Sequence, residues 1–189
     1  MHWLYAALLV YLLGSIPFGL LLAKAAGKGD IRQIGSGSTG ATNVLRTGSK
    51  KLAAATVLLD AGKGVAAFLL AARLFPGVEE VAAVAAVAGH CFPVWLGFRG
   101  GKGFETAAGD CLVLAWPVFL ICGVVWALLV ALTRISSASS MAAVTVAPLA
   151  AWLLGYPTAA VTLRAIAAIV LVQHRGNIGR LIRGEEPRV

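Results

Sequence analysis

The sequence predicts an all-α integral membrane protein. Of its 189 residues, 59% are hydrophobic and only 13% are charged, a balance that a soluble domain of this length does not carry. The hydrophobic residues form long runs, and a helix needs about 20 apolar residues to cross a bilayer. Lys and Arg gather in alternate loops between these runs. We therefore expect one multi-pass membrane domain over residues 1–189, folded as a compact helical bundle.

The first membrane helix is expected over residues 3–23, with a kink at Pro17. The loop after it is rich in Lys and Arg and contains one acid, Asp30, which places this loop in the cytoplasm and the N-terminus outside. Further helices are expected over residues 52–74 and 81–96, joined by an acidic turn on the outer side.

The apolar tract over residues 106–133 decides the number of membrane segments. A single crossing would put Arg134 and the basic C-terminal tail outside, against the positive-inside rule. A break at Pro117 avoids this and leaves residues 104–115 as a short segment, either a buried half-helix or a helix that crosses a thinned bilayer. With helices over residues 141–154 and 158–172, the prediction is seven membrane segments and a cytoplasmic C-terminus.

A basic glycine loop precedes this short segment. Gly100, Gly101 and Gly103 surround Lys102, so backbone N–H groups stand unshielded beside an ammonium group. Such a loop suits a phosphate, and the positive end of the helix that follows favours an anion there. The alternative is a flexible basic turn held down by lipid headgroups, and this loop alone leaves both interpretations open.

A second loop of the same chemistry covers residues 34–46. Its glycines have the spacing of a nucleotide P-loop, but Ala41 stands where that motif needs lysine and no strand precedes it, which excludes an NTPase. The remaining interpretations are an anion-binding loop closed by the guanidinium of Arg46, or a polar linker. The net charge of +8 suits phosphorylated substrates and anionic lipids, and no nucleic-acid partner is expected.

Three further features of the sequence bear on structure or function. Asp60 and Lys63 lie three residues apart in an apolar helix and must pair or face protein, as a structural ion pair or as functional groups. The serines at 136–140 are expected to cap the next helix, with ligand binding as the alternative. The tail over residues 173–186, if helical, stacks His174 and Asn177 on one face. Neither a metal site nor a cofactor is predicted, since the cysteines lack ligand spacing.

Three ordered segments, over residues 34–46, 89–106 and 173–186, are therefore expected at the cytoplasmic face. In these segments the chain resembles the bacterial PlsY family, the acyl-phosphate:glycerol-3-phosphate acyltransferases. The resemblance rests on three groups of residues: Gly35-Ser36-Gly37 with Gly40-Ala41-Thr42-Asn43-Val44-Leu45-Arg46; Gly89-His90 and Phe92-Pro93 with Gly100-Gly101-Lys102-Gly103; and His174-Arg175 with Asn177-Ile178 and Arg180-Leu181.

The resemblance implies an enzyme of phospholipid biosynthesis in the bacterial cytoplasmic (inner) membrane. Its reaction moves a fatty acyl group from acyl phosphate to the 1-hydroxyl of glycerol 3-phosphate, giving lysophosphatidate and phosphate without a metal. Both substrates and the membrane lipids are the implied partners, and the oligomeric state is left open, a monomer included.

The resemblance also implies site residues. The positions that matter for activity are Ser36, Arg46, Lys102, His174 and Asn177. The expected substrate-binding residues are Gly35, Gly37, Gly40, Thr42, Asn43, Gly100, Gly101, Gly103, Ser139 and Ser140. The proton of the attacking hydroxyl goes to a substrate phosphate oxygen or to His174, and a structural role for His174 is the third interpretation.

Two departures from the family pattern bear on the substrates. Ser38-Thr39 and Phe104-Glu105 differ from the usual motifs, and Glu105 adds a negative charge beside the expected phosphate site unless it pairs with Arg99 or Lys102 or points away. A divergent paralogue with an altered donor is therefore one alternative. A lipid or anion transporter is another, although its expected inverted repeat is not visible, and a purely structural membrane subunit is a third.

Overall fold

The structure, a computed structural model, describes all residues 1–189 and contains α-helices, two short 3₁₀ turns and no strand. The chain divides into two compact units, residues 1–110 and 111–189. The helices of the first unit are α1 (His2–Gly14), α2 (Phe18–Ala25), α3 (Ala41–Leu45), α4 (Lys50–Leu74) and α5 (Glu79–Cys91). Helix α6 (Phe104–Leu114) begins in the first unit. The all-helical prediction is confirmed.

The first membrane helix is broken where the sequence predicted a kink. Helix α1 ends at Gly14 and α2 begins at Phe18, because Pro17 has no N–H and its ring excludes a continuous helix. The break leaves the carbonyl of Ile16 outside the helical hydrogen bonds, and Lys63 of α4 donates to it at 2.8 Å. Helices α1, α2 and α4 are therefore tied together at this point.

Glycines let α1 and α5 approach at backbone distance. A Cβ placed on Gly14 would lie 2.2 Å from the carbonyl oxygen of Ala86, and one on Gly89 would lie 2.2 Å from that of Tyr11. No larger residue fits at either position. This is the close helix packing that small residues permit in membrane proteins.

The second unit contains α7 (Trp116–Thr133), α8 (Ser136–Leu153), α9 (Pro157–Gln173) and α10 (Arg175–Ile182). Helix α7 begins at Trp116, which confirms the break predicted at Pro117. The prediction that serines cap the next helix is wrong, because α8 already begins at Ser136 with Ile135 as its uncapped N-terminal neighbour. The hydroxyl of Ser139 instead donates to the Ile135 carbonyl at 2.9 Å, one turn back along α8.

Five helical segments are long and apolar enough to cross a membrane, or six if α9 and α10, which are bent by 59° at His174, count as one span. Helix α6, with 11 residues, is too short for a normal crossing. The number of seven membrane segments and the orientation of the termini stay predictions.

Candidate active site

The glycine loop before α3 is held in shape by one buried amide. The side-chain nitrogen of Asn43 donates to the carbonyls of Ile31 and Ser38 at 2.7 and 2.8 Å, and its oxygen accepts from the N–H of Ser36 at 3.3 Å. Asn43 is itself buried. Gly35 and Gly37 have φ angles of 56° and 68°, which only glycine adopts readily. The side-chain amide of Asn43 therefore fixes a loop whose backbone conformation favours glycine at residues 35 and 37.

Arg46 lies directly over this loop. It follows the last residue of α3, and a Cβ on Gly35 would lie 2.3 Å from its Nη1 and 2.7 Å from its Cδ. The absence of a side chain at residue 35 thus makes room for the guanidinium. Ser36, Thr42 and Arg46 are all exposed, so this loop and α3 present hydroxyls and a guanidinium at an accessible surface. This arrangement suits a phosphate, which arginine binds in a bidentate fork.

The second glycine loop folds back on the end of α5. The N–H of Gly100 donates to the Cys91 carbonyl and the N–H of Gly101 donates to the His90 carbonyl, both at 3.1 Å. Gly103 has a φ of 85°, and its carbonyl accepts from Ala107 at 2.8 Å in the first turn of α6. Lys102, half-buried, therefore sits at a fixed point just before a helix start.

Glu105 links the two glycine loops of the first unit. Its Oε2 lies 4.0 Å from the position that a Cβ on Gly40 would occupy, so its carboxyl group stands beside the first loop. It also lies within electrostatic range of Asp60, which disfavours its negative charge, and of His90 and Lys102, which favour it. The charge introduced at residue 105 is thus only partly offset by its neighbours.

A buried charged cluster lies beneath the second loop. The Nζ of Lys63 is 2.8 Å from Oδ1 of Asp60, and Nδ1 of His90 is 3.6 Å from the same oxygen. Asp60, Lys63 and His90 are 1, 3 and 3% exposed. The prediction that the two helix charges must pair is confirmed. His90 as their third member was not predicted.

In the second unit, His174 lies at the bend between α9 and α10 and is buried. Its Nδ1 is 2.8 Å from the Val170 carbonyl oxygen. Because a carbonyl can only accept, Nδ1 must carry hydrogen, and the lone pair of the neutral ring is then on Nε2. The ring therefore has the orientation and tautomer of a base that works through Nε2.

Asn177 belongs to a network centred on Glu186. Its side-chain nitrogen donates to Oε1 of Glu186, Ser137 donates to the same oxygen at 2.7 Å, and Nε of Arg180 donates to Oε2 at 2.7 Å. Burial alone would raise the pKa of Glu186, but these hydrogen bonds outweigh it and lower the pKa below its ordinary value. The carboxylate thus fastens the tail to α8 and α10.

The lowered pKa of Glu186 predicts acid sensitivity. A group whose pKa is depressed by folding adds stability above its unfolded pKa of about 4.3, and that stability is lost as the pH falls through the folded value. We expect the difference in Tm between the wild type and Glu186→Gln to be largest near neutral pH and to shrink below about pH 4. Thermal unfolding in detergent between pH 3 and 7 checks this; a constant difference would contradict it.

The hydroxyls of Ser139 and Ser140 are used within the second unit. Ser139 bonds back along α8, and Oγ of Ser140 accepts from Nε1 of Trp126 at 3.2 Å. Both residues are buried. The structure does not join them to Asn177 by hydrogen bonds, whereas their neighbour Ser137 reaches the same carboxylate as Asn177 does.

Comparison with known proteins shows the family of this chain. A family model described as glycerol-3-phosphate acyltransferase matches residues 4–184. The chain belongs to this acyltransferase family. A relative from Erythrobacter litoralis is 55% identical over 184 residues, which cover 97% of this chain and 93% of that protein. A relative from Gluconobacter oxydans is 56% identical over 191 residues, covering 97% and 91%. Both are named glycerol-3-phosphate acyltransferase.

Two solved structures have the same fold as this family member. They are crystal structures of PlsY, described as an integral membrane glycerol 3-phosphate acyltransferase, in a glycerol 3-phosphate form and a lysophosphatidic acid form. Each is 37% identical and covers all of this chain, with TM-scores of 0.93 and 0.90; the chain spans 96 and 95% of their lengths. The predicted family is confirmed.

Sequence reasoning missed two buried features of this acyltransferase. One is the contact between His90 and Asp60, which are 30 positions apart in the chain and give no local signal of it. The other is a pair on α6, Thr106 and Asp110, whose side-chain oxygens are buried without a hydrogen-bond partner. A Cβ on Gly64 of α4 would lie 3.2 Å from Oδ1 of Asp110, so this pair faces a glycine. The spacing of four residues between Thr106 and Asp110 was the available signal.

Proposed function

We propose that this protein transfers a fatty acyl group from acyl phosphate to the 1-hydroxyl of glycerol 3-phosphate at the cytoplasmic face of a bacterial inner membrane. The products are lysophosphatidate and inorganic phosphate. The observation that carries the proposal is the pair of glycine loops in the first unit, one beneath the guanidinium of Arg46 and one presenting Lys102, with Glu105 beside both. Two phosphate-bearing substrates need two such cradles.

The reaction does not require a covalent nucleophile on the protein. The hydroxyl oxygen of glycerol 3-phosphate attacks the carbonyl carbon of acyl phosphate, and the carbon–oxygen bond to phosphate breaks as the new ester forms. Phosphate is a good leaving group, so holding the hydroxyl near the carbonyl and stabilising negative charge supply most of the acceleration. We assign these roles to Arg46 and Lys102, with Ser36 and Thr42 as hydroxyl donors and Gly35 and Gly103 as backbone donors. The N–H groups of Gly37, Gly40 and Gly100 already donate within the protein, to the Ile34 carbonyl, the Ser38 hydroxyl and the Cys91 carbonyl.

The hydroxyl proton has two chemically suited acceptors. One is an oxygen of the substrate phosphate. The other is Nε2 of His174, whose tautomer is set by the hydrogen bond from Nδ1 to Val170. We propose that Asn177 takes part with His174, its side chain held by the carboxylate of Glu186. In both routes the hydroxyl oxygen attacks the acyl carbon directly, so no covalent acyl-enzyme forms. The proton ends on a phosphate oxygen, either at once or after transfer from the imidazole, which returns His174 to its neutral form.

The direct test uses purified protein in detergent or in a lipid mesophase. Given acyl phosphate and glycerol 3-phosphate, it is expected to release phosphate and form lysophosphatidate in equal amounts. Acyl-CoA supplied in place of acyl phosphate is the control and should give no product. Phosphate release without lysophosphatidate would indicate hydrolysis, and product from acyl-CoA would show a different donor, the outcome expected of a divergent paralogue.

We further propose seven membrane segments with the N-terminus outside and the C-terminus in the cytoplasm. The distribution of Lys and Arg over alternate loops supports this orientation. In sealed cells of a variant without native cysteines, an impermeant thiol reagent is expected to label Glu80→Cys and to miss Ser49→Cys until the membrane is opened. Equal labelling of both positions in intact cells would overturn the arrangement.

A further inference from the structure

The buried cluster of Asp60, Lys63 and His90 has no part in the reaction as proposed. Charged groups cost free energy to bury, and replacing such a cluster by apolar residues often stabilises a protein. Because the cluster is costly to bury, its position in the fold indicates what it is for. It lies beneath the segment Gly100–Lys102, the part of the second glycine loop that presents a cation.

Both the backbone and the side chain of His90 contact the second glycine loop. Its backbone carbonyl accepts from the N–H of Gly101 at 3.1 Å. Its ring lies against the same residue, since a Cβ on Gly101 would be 1.9 Å from Nε2. At such a distance no side chain fits, so the imidazole occupies the volume that any residue other than glycine would need. The ring thus sets how far the Gly101 backbone can approach α5.

The orientation of that ring is fixed by the rest of the cluster. Nδ1 of His90 faces Oδ1 of Asp60 at 3.6 Å, which is longer than a hydrogen bond but close enough for an electrostatic contact. Asp60 is held by Lys63 at 2.8 Å, and Lys63 donates to the Ile16 carbonyl at the α1–α2 break. A continuous series of contacts therefore runs from the broken first helix to the glycine loop.

Nε2 of His90 has no hydrogen-bond partner within the protein, and Nδ1 has only the long contact of 3.6 Å with Asp60. A buried histidine that served stability alone would be expected to satisfy both nitrogens, because an unpaired buried polar group costs about 1–3 kcal/mol. The ring is instead held by one ionic neighbour and by shape. This favours a role in placing the backbone above it over a role in stabilising the core.

We propose that His90 and Asp60 are positioning residues that set the height of the Gly101–Lys102 segment and thereby the affinity for the phosphate that Lys102 binds. This inference rests on the proposed function of the loop. It predicts that disturbing the ring raises KM for glycerol 3-phosphate or acyl phosphate much more than it changes global stability.

The test is a double-mutant cycle across the contact. Gly101→Ala alone should force the loop off the ring and lower kcat/KM by about 10²-fold, the scale of a displacement of about 1 Å in a positioned group. His90→Ala alone should lower it by about tenfold or more, as the loop loses its support. In the double variant the new methyl group occupies space left by the ring, so the combined loss should be smaller than the product of the single losses.

Gly62→Ala serves as the matched control. Gly62 is exposed on α4, and a Cβ there would meet nothing within 4 Å, so the same substitution should leave kcat/KM and Tm nearly unchanged. If His90→Ala fails to fold, His90→Gln replaces it, since the glutamine amide reaches the region of Nε2 and should keep the fold while raising KM. Equilibrium binding of glycerol 3-phosphate, measured by calorimetry, gives a readout independent of turnover.

The outcomes separate the two proposals. Wild-type protein that makes no lysophosphatidate refutes the proposed function, whatever the variants do. If the wild-type protein is active, three results overturn the positioning role. The losses of the two single variants multiply in the double variant, or Gly101→Ala is close to wild type in activity, or the losses in Tm match the losses in activity. The positioning role is supported if the double variant loses less than the product of the single losses, if KM and binding of glycerol 3-phosphate both weaken, and if Tm is unchanged.

Discussion

Lys102→Ala is expected to lower kcat/KM by about 10²-fold or more, the scale of losing one preorganised contact that stabilises developing negative charge. The lysine stands between Gly101 and Gly103, two residues before the start of α6, where backbone N–H groups, a helix start and its ammonium group can act on the same anion. Both substrates carry phosphate, so KM is measured for acyl phosphate and for glycerol 3-phosphate.

Arg99→Ala is the control for Lys102→Ala. Arg99 lies in the same loop and carries the same charge, but it is exposed and precedes the glycines that fold back on α5. If the loop only adds positive charge at the membrane surface, both variants should lose similar activity, and both losses should fade at high salt. A Lys102→Ala protein with unchanged Tm and activity within a few-fold of wild type would remove the phosphate cradle from the mechanism.

The helical class and most breaks could be predicted because they depend on local chemistry. Pro17 and Pro117 interrupt hydrogen bonding wherever they occur, and the predicted short segment over residues 104–115 corresponds to α6 at Phe104–Leu114. The serine run was misassigned because serine is compatible with both a cap and a helical turn. The deciding contact, from Ser139 back to Ile135, forms only once α8 has started earlier than expected.

The site could be predicted only as far as its exposed residues. Glycine, lysine and arginine in a loop indicate anion binding by residue type alone, so Lys102 and Arg46 stood out. The residues that hold these loops from below could not be predicted in this way. Asn43 was expected to bind substrate, and the structure adds that its side chain bonds to the backbone of Ile31, Ser36 and Ser38. His90 meets Asp60 only through packing of α4 against α5. Such contacts depend on tertiary structure, which hydropathy and motif spacing do not contain.

Arg46→Lys is expected to lower kcat/KM by about 10-fold to 10²-fold although the charge is kept. A hydrogen bond to a charged group is worth about 1.5–3 kcal/mol, and lysine replaces a planar, two-pronged donor with a single point of charge. The guanidinium also fits a particular space, since its Nη1 and Cδ lie where a side chain on Gly35 would be. An ammonium on a flexible stem would not rest on that glycine in the same way.

Arg32→Lys is the matched control for this substitution. Arg32 lies in the same cytoplasmic loop and is exposed like Arg46, but its guanidinium is paired with Asp30 at 2.6 Å. An exposed ion pair of this kind contributes little, so activity should be retained. If Arg46→Lys has near-normal kcat and KM for both substrates, Arg46 only orients the loop at the membrane. A loss confined to KM for one substrate would instead show which phosphate lies over Gly35.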